Sequence, residues 1–280
     1  MVCPNTLFAG IFMSMEKRID IALAERGICK SRSRAKRLLK DGLVLHNGSI
    51  CTKPSQPVKE EDTLGLIGED IPYVGKGGLK LREALHRFPI RVADRICMDV
   101  GASTGGFTDC MLQNGAKRVY AIDVGKKQLD ESLCNDPRVV NLEEHDVRLM
   151  KTADMLDEPD FCSIDVSFIS LTLVLPAVYR LLADVSECVA LIKPQFEAGR
   201  ANIGKKGIVR SEAVHQEVLE QIIAFARNIG FSVQGLCPSP IRGGEGNGNT
   251  EYLVYLVKGS DMEEPEFDLK TMIRQADING

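Results

Sequence analysis

From Arg91 onward, short apolar runs alternate with longer segments whose apolar residues recur at helical spacing. The runs are residues 96–100, 119–123, 161–165, 188–193, 231–236 and 252–257. The helical segments begin at Phe107, cover 171–182 and extend from about Ser211 to Asn228. Alternation at this spacing predicts an α/β domain with a doubly wound, mostly parallel sheet. Upstream, Ile19, Leu23 and Ala24 share one helical face, and Gly27 can close that helix. Ser31 or Ser33 can cap a second helix with Ala35, Leu38 and Leu39 on its apolar side and Gly42 at its end. Leu43-Val44-Leu45 reads as a strand, and Asn47-Gly48 as a tight turn into Ile50-Cys51. These signals predict a small α+β domain over 16–68. Around it we expect a disordered stretch over 1–15, a linker over 69–78, the α/β domain over 79–259 and an acidic tail over 260–280.

Composition fits two globular domains: 280 residues, 44% hydrophobic and 26% charged. No apolar run approaches the ~20 residues needed to cross a bilayer. Residues 1–15 lack a basic region and a cleavage site, so no signal peptide is read there, and Met13 or Met15 could be the true start. The nine cysteines stand singly, with no C-x-x-C pair. Free thiols in a reducing cytoplasm are therefore expected, with neither metal nor disulfide framework. The net charge of −4 argues against a nucleic-acid partner until its distribution is read. Between 18 and 53 the bases are Arg18, Arg26, Lys30, Arg32, Arg34, Lys36, Arg37, Lys40 and Lys53, against only Asp20, Glu25 and Asp41. The acids after Gly259 account for much of the deficit. Arg18, Arg32, Arg34, Lys36, Arg37 and Lys40, with Lys76 in the linker, are the candidate contacts to nucleic-acid phosphates.

The run Asp99-Val100-Gly101-Ala102-Ser103-Thr104-Gly105-Gly106-Phe107 joins the first strand of the larger domain to a helix. The next strand ends in Asp123, which can grip ribose hydroxyls. This describes a Rossmann-like half for an adenosine-bearing cofactor. The glycines are not spaced G-x-G-x-x-G, and the wider loop suits S-adenosylmethionine, which has no pyrophosphate to cradle. Candidate cofactor contacts are Asp99, Gly101, Ser103, Thr104, Gly105, Gly106, Phe107, Asp123, Asp146 and Asp165. Four polar residues fall where a substrate would meet that cofactor: Lys80, Asp165, Lys193 and Glu251. A ribose 2′-hydroxyl needs a base to take its proton during attack. A lysine serves only when burial or a second cation favours its neutral form. Lys193 is the candidate base and Lys80 the neighbouring cation, with Asp165 and Glu251 holding the two ammonium groups.

Residues 16–68 resemble the RNA-binding module of ribosomal protein S4, on Arg18-Ile19-Asp20, Ser31-Arg32-Ser33-Arg34-Ala35, Leu38, Gly42, Val44 and Asn47-Gly48. The remainder resembles the haemolysin A (TlyA) family, bacterial rRNA methyltransferases with an FtsJ-like catalytic domain. The resemblance rests on Tyr73-Val74, Gly77-Gly78-Leu79-Lys80-Leu81, 99–109, 120–125, 165–171, 191–197 and Glu251-Tyr252-Leu253. It implies 2′-O-methylation of cytidine in rRNA or ribosomal subunits, by a Lys-Asp-Lys-Glu tetrad falling on Lys80, Asp165, Lys193 and Glu251. No membrane and no obligate protein partner are implied. The chain departs from the family at Gly75-Lys76 (usually Ser-Arg), at Asp146 (usually Asn, where the acid can still accept from an adenine amino group), and in loop 242–250, about two residues longer. Rival readings are weaker. A base-amino enzyme wants Asp/Asn-Pro-Pro-aromatic where Asp165-Val166-Ser167-Phe168 stands. A cytosine-C5 enzyme needs a catalytic cysteine, and Cys237-Pro238 has the order reversed. An assembly factor with an idle pocket would not need all four polar residues. A membrane-active haemolysin would need a spanning segment or a long basic amphipathic helix.

Overall fold

The computed structural model describes residues 16–29, 31–67, 71–204, 207–243 and 248–276. The expected disorder of 1–15, the base Lys30, linker residues 69 and 70, loop residues 244–247 and the last four tail residues lie outside the described residues. The chain divides into two compact units, Met1–Asp70 and Ile71–Gly280.

In the first unit β1 (Lys17–Arg18) leads into α1 (Ile19–Glu25). Then come α2 (Arg32–Lys40), β2 (Val44–His46), β3 (Ser49–Cys51), β4 (Pro57–Val58) and β5 (Leu64–Leu66). Ser31, not Ser33, caps α2: its hydroxyl accepts from the Arg34 N–H at 3.2 Å. Asn47 and Gly48, at φ 50° and 78°, form a two-residue turn with both centres left-handed, which suits the twist of the β2–β3 hairpin. β5 pairs with the other edge of β2, and β4 with β1; the sequence reading assigned neither short strand. Ile19, Leu23, Ala35, Leu38, Leu39 and Val44 form the core. Asp20 is fully buried and held by Arg18 Nε at 3.0 Å and Arg32 Nε at 2.9 Å. Burial raises its pKa, but the two guanidiniums outweigh burial and hold the carboxyl below its ordinary range. Arg18 and Arg32 thus serve the fold, whatever else they touch. Lys36 and Lys40 point outward from α2.

The second unit begins its regular structure with α3 (Gly77–Arg87), β6 (Ile96–Val100), α4 (Gly106–Gln113), β7 (Arg118–Asp123), α5 (Glu131–Cys134), β8 (Val139–Glu143) and β9 (Phe161–Ile164). It continues through α6 (Leu171–Leu181), β10 (Ser186–Ile192), α7 (Pro194–Glu197), α8 (Glu212–Asn228), β11 (Phe231–Pro238), β12 (Tyr252–Lys258) and α9 (Leu269–Gln275). The seven strands lie in the order β11-β12-β10-β9-β6-β7-β8. β12 runs antiparallel to both its neighbours, and β6 through β10 pair in parallel. Successive strand residues pack on opposite faces. Met98, Tyr120 and Val254 join α6 and α8, whereas Cys97, Val119 and Leu253 join α3 and α4. The result is a sheet covered by helices on both sides, the layering expected from the alternation.

Besides the short helices α5 and α7, which the sequence reading did not assign, three features differ from expectation. The edge strand β8 was not anticipated, because half-exposed Val139-Val140-Asn141-Leu142-Glu143 offers no clean apolar run. The acidic tail contains α9, capped by Asp268 and anchored by Ile273, which is 1% exposed; Glu264 within it accepts from the Val233 N–H at 2.8 Å. Helix α3 starts at Gly77, inside the expected linker. It can do so because Gly78 lacks a side chain: a Cβ there would sit 2.3 Å from the Tyr73 ring.

Candidate active site

The chain leaves β6 toward β7 and β8 on one side and returns to β9 and β10 on the other. The carboxyl ends of β6 and β9 therefore flank the topological switch point, where ligands of open α/β sheets bind. Gly101 follows β6 at φ 83°, and a Cβ on it would lie 2.5 Å from the Asp165 carbonyl oxygen. Only glycine allows the loop after β6 to cross that close to the end of β9. Beyond it, the Ser103 N–H donates to Asp123 Oδ2 at 2.8 Å and the Gly125 N–H to Oδ1 at 2.7 Å. Each carboxylate oxygen keeps acceptor capacity for a ligand hydroxyl.

A cleft of about 800 Å³ opens here, lined by Gly101, Ser103, Asp123, Val124 and Asp146 among others. Asp146 is fastened by Arg148, with Nε to Oδ1 at 2.9 Å and a second guanidinium nitrogen to Oδ2 at 2.6 Å; that bonding holds its carboxyl below the ordinary range. A second cleft of about 630 Å³ is lined by Lys80, Thr104, Gly106, Phe107, Lys193 and Glu251, among others. Gly101, Ser103, Asp165, Ser167, Phe168 and Phe196 line both, so the clefts meet at Asp165.

The four polar candidates form one line. Lys80 Nζ lies 2.6 Å from Glu251 Oε2 and 3.6 Å from Asp165 Oδ2, and Asp165 Oδ1 lies 2.5 Å from Lys193 Nζ. Lys193 also donates to Ser167 Oγ at 2.9 Å. Lys80, Lys193 and Glu251 are all under 9% exposed, a burial that charges tolerate only when paired. Glu251 immediately precedes β12, whose pairing fixes its place. Tyr252 pairs in register with Ile192, so Glu251 and Lys193 leave the same end of adjacent strands.

Two candidates stand elsewhere. Asp99 faces neither cleft. It is fully buried and accepts from the Thr108 N–H at 2.8 Å, the Thr108 hydroxyl at 2.7 Å and the Ser163 hydroxyl at 3.1 Å. It braces the start of α4 from within. Gly105 turns its bare Cα toward Leu129 and Leu133 rather than toward a cleft. Burial pushes the Asp99 pKa up to about 7. The folded chain therefore keeps a proton that the unfolded chain releases near pH 4. Stability attributable to Asp99 falls as pH rises through that window and stays low above it. Asp99→Asn, whose amide oxygen can accept both Thr108 bonds while its amide nitrogen donates to the Ser163 oxygen, is expected to raise the melting temperature at pH 8 and to leave it unchanged at pH 4.

Sequence reading did not assign Ser167, Phe168, Gln195 and Phe196 to the site, although all four sit within the quoted motifs. Phe168 is 91% exposed at φ 63°, with its ring 5.0 Å from that of Phe196. Cys237 lines neither cleft and is 7% exposed, and burial pushes its thiol up to about 11, the opposite of an activated nucleophile. Among the described residues no cluster of three or more His, Cys, Asp or Glu could hold a metal ion, and no helix is long and apolar enough to cross a membrane.

Comparison with known proteins matches residues 73–258 to the FtsJ-like methyltransferase family and residues 17–64 to the S4 domain. YqxC of Bacillus subtilis is 46% identical, covering 94% of this chain and 95% of its own length. The 16S/23S rRNA (cytidine-2′-O)-methyltransferase TlyA of Mycobacterium tuberculosis is 36% identical, covering 96% of this chain and all of its own. A solved structure designated a hemolysin, from Streptococcus thermophilus, is 47% identical with a TM-score of 0.71, covering 94% of this chain and 96% of its own.

Proposed function

The chain belongs to the FtsJ-like methyltransferase family, and from that premise we propose that it methylates the ribose 2′-hydroxyl of a cytidine in ribosomal RNA. The observation that carries this reading is the buried line Glu251–Lys80–Asp165–Lys193 at the junction of two clefts. One cleft offers Asp123 for ribose hydroxyls and Asp146 for an adenine amino group, on a loop without a pyrophosphate cradle; this fits S-adenosylmethionine. The chemistry that cofactor supplies when bound is an electrophilic methyl group. Lys193 Nζ, steadied by Asp165 and Ser167, takes the proton from the 2′-oxygen as it attacks. Lys80, fixed between Glu251 and Asp165, orients that oxygen, and much of the rate comes from this positioning. Phe168 offers an exposed ring on which an unstacked base can lie. The relative from Mycobacterium tuberculosis is named for cytidine 2′-O-methylation, which supports the same substrate here. Such a substrate puts the work in the cytoplasm. The test is alkaline hydrolysis of rRNA labelled by the enzyme. A 2′-O-methyl group blocks cleavage of the following linkage, so label is expected in dinucleotides; label in mononucleotides would mean a methylated base.

The basic face of α2 is proposed to bind RNA phosphates, which the S4 match supports, and so separately is the exposed Lys76. Reversing two exposed charges, Lys36→Glu with Lys40→Glu, is expected to weaken RNA binding. The salt-dependence slope should fall by about 1.4–1.8, two phosphate contacts at roughly 0.7–0.9 each. Cofactor affinity should not change. A salt titration of RNA binding with an unaltered slope would remove α2 from the interface.

A further inference from the structure

Glu197 is a half-buried carboxylate that the proposed chemistry does not use. It ends α7, four residues after Lys193. Its Oε2 accepts from the Ser170 hydroxyl at 2.5 Å and its Oε1 from the Leu171 N–H at 2.8 Å. Ser170 caps α6, so Glu197 bonds to the start of an eleven-residue helix, where a negative charge is favoured. The loop 165–170, carrying Asp165, Ser167 and Phe168, is thus tied to the α7 segment at two points. One tie is Lys193 to Asp165 and to Ser167, and the other is Glu197 to Ser170 and Leu171, with the Phe168 and Phe196 rings between them. Phe168 sits in the left-handed region, where a phenylalanine stays only when its surroundings impose it.

We propose that Glu197 is a positioning residue, holding loop 165–170 so that Asp165, Ser167 and the Phe168 ring keep their places around Lys193. The proposal rests on the reading of Lys193 as the base. Its logic is one of charge. The Asp165–Lys193 tie weakens whenever Lys193 is neutral, which is the state the reaction requires. The Glu197 tie contains no group that changes charge in the reaction, so it keeps the loop in register at that moment.

The test is the rate of methyl transfer to rRNA at saturating RNA and cofactor, measured on the full chain. Glu197→Ala is expected to lower it about tenfold to a hundredfold, the upper figure being what a misplacement of about 1 Å at a reacting group can cost. Glu197→Gln is expected to stay near wild type. Its amide oxygen accepts from Leu171, and its amide nitrogen donates to Ser170, whose own hydrogen turns to Thr172 Oγ1, 2.8 Å away. Should Glu197→Ala melt early, Ser170→Ala opens the same tie from the other side and is expected to lose rate in the same direction. A wild-type rate in Glu197→Ala or, where that variant melts early, in Ser170→Ala, would overturn the proposal. So would a Glu197→Gln variant as slow as Glu197→Ala, which would make the charge and not the tie the essential feature. Lys193→Met separates the two readings: if it retains activity the base assignment fails, whatever Glu197 does.

Discussion

In a Lys193→Met variant, methyl transfer to rRNA is expected to fall by about 10²–10⁴-fold, the usual contribution of a general base. Methionine keeps most of the apolar stem and removes only the group that can accept a proton. Lys193 does not itself line the cofactor cleft, whose ligand-facing carboxylates Asp123 and Asp146 make no bond to it. Asp165 keeps Lys80, 3.6 Å away, as a partner. Cofactor and RNA affinities, read by titration, should therefore stay within a few-fold of wild type, so the loss appears in the rate of the bound complex. A rate within threefold of wild type would place the base elsewhere in the site.

The second large effect is on stability. Glu251 is 3% exposed, and its close ionic partner is Lys80 at 2.6 Å; Gln195 Nε2 is 3.4 Å away and brings no charge. Lys80→Met leaves that carboxylate buried with no cation against it, at an expected cost of about 3–5 kcal/mol. Adding Glu251→Leu removes the stranded charge and fills similar volume, so unfolding measurements should show most of the stability restored. Activity should be lost in both variants. This pair of outcomes separates what the ion pair does for the fold from what it does for the reaction. A Lys80→Met single variant as stable as wild type would mean that Glu251 finds another partner or a proton.

Much of this site was legible because the strands announce their own ends. The runs at 161–165 and 188–193 each terminate in a charged residue, Asp165 and Lys193, and the sheet order places those ends side by side. Glu251 was legible for the same reason, since it precedes the strand that pairs with β10. Asp99 misled because an acid at a strand end looks the same in sequence whether it faces a ligand or a buried hydroxyl pair. Here it faces Thr108 and Ser163. Phe168 was missed for the converse reason: periodicity assigns aromatics to cores, whereas this ring is exposed on a residue with a left-handed backbone. The edge strand β8 and the tail helix α9 escaped because both are short and only partly buried, packed by tertiary contact more than by local propensity.

The most direct test of the account is methyl transfer from labelled S-adenosylmethionine to separated ribosomal subunits that lack the mark, followed by nucleoside analysis. Label recovered as 2′-O-methylcytidine is the predicted result, and the subunit that carries it names the substrate. Label recovered on a base, with none on ribose, would contradict the chemistry assigned to Lys193 and its three partners.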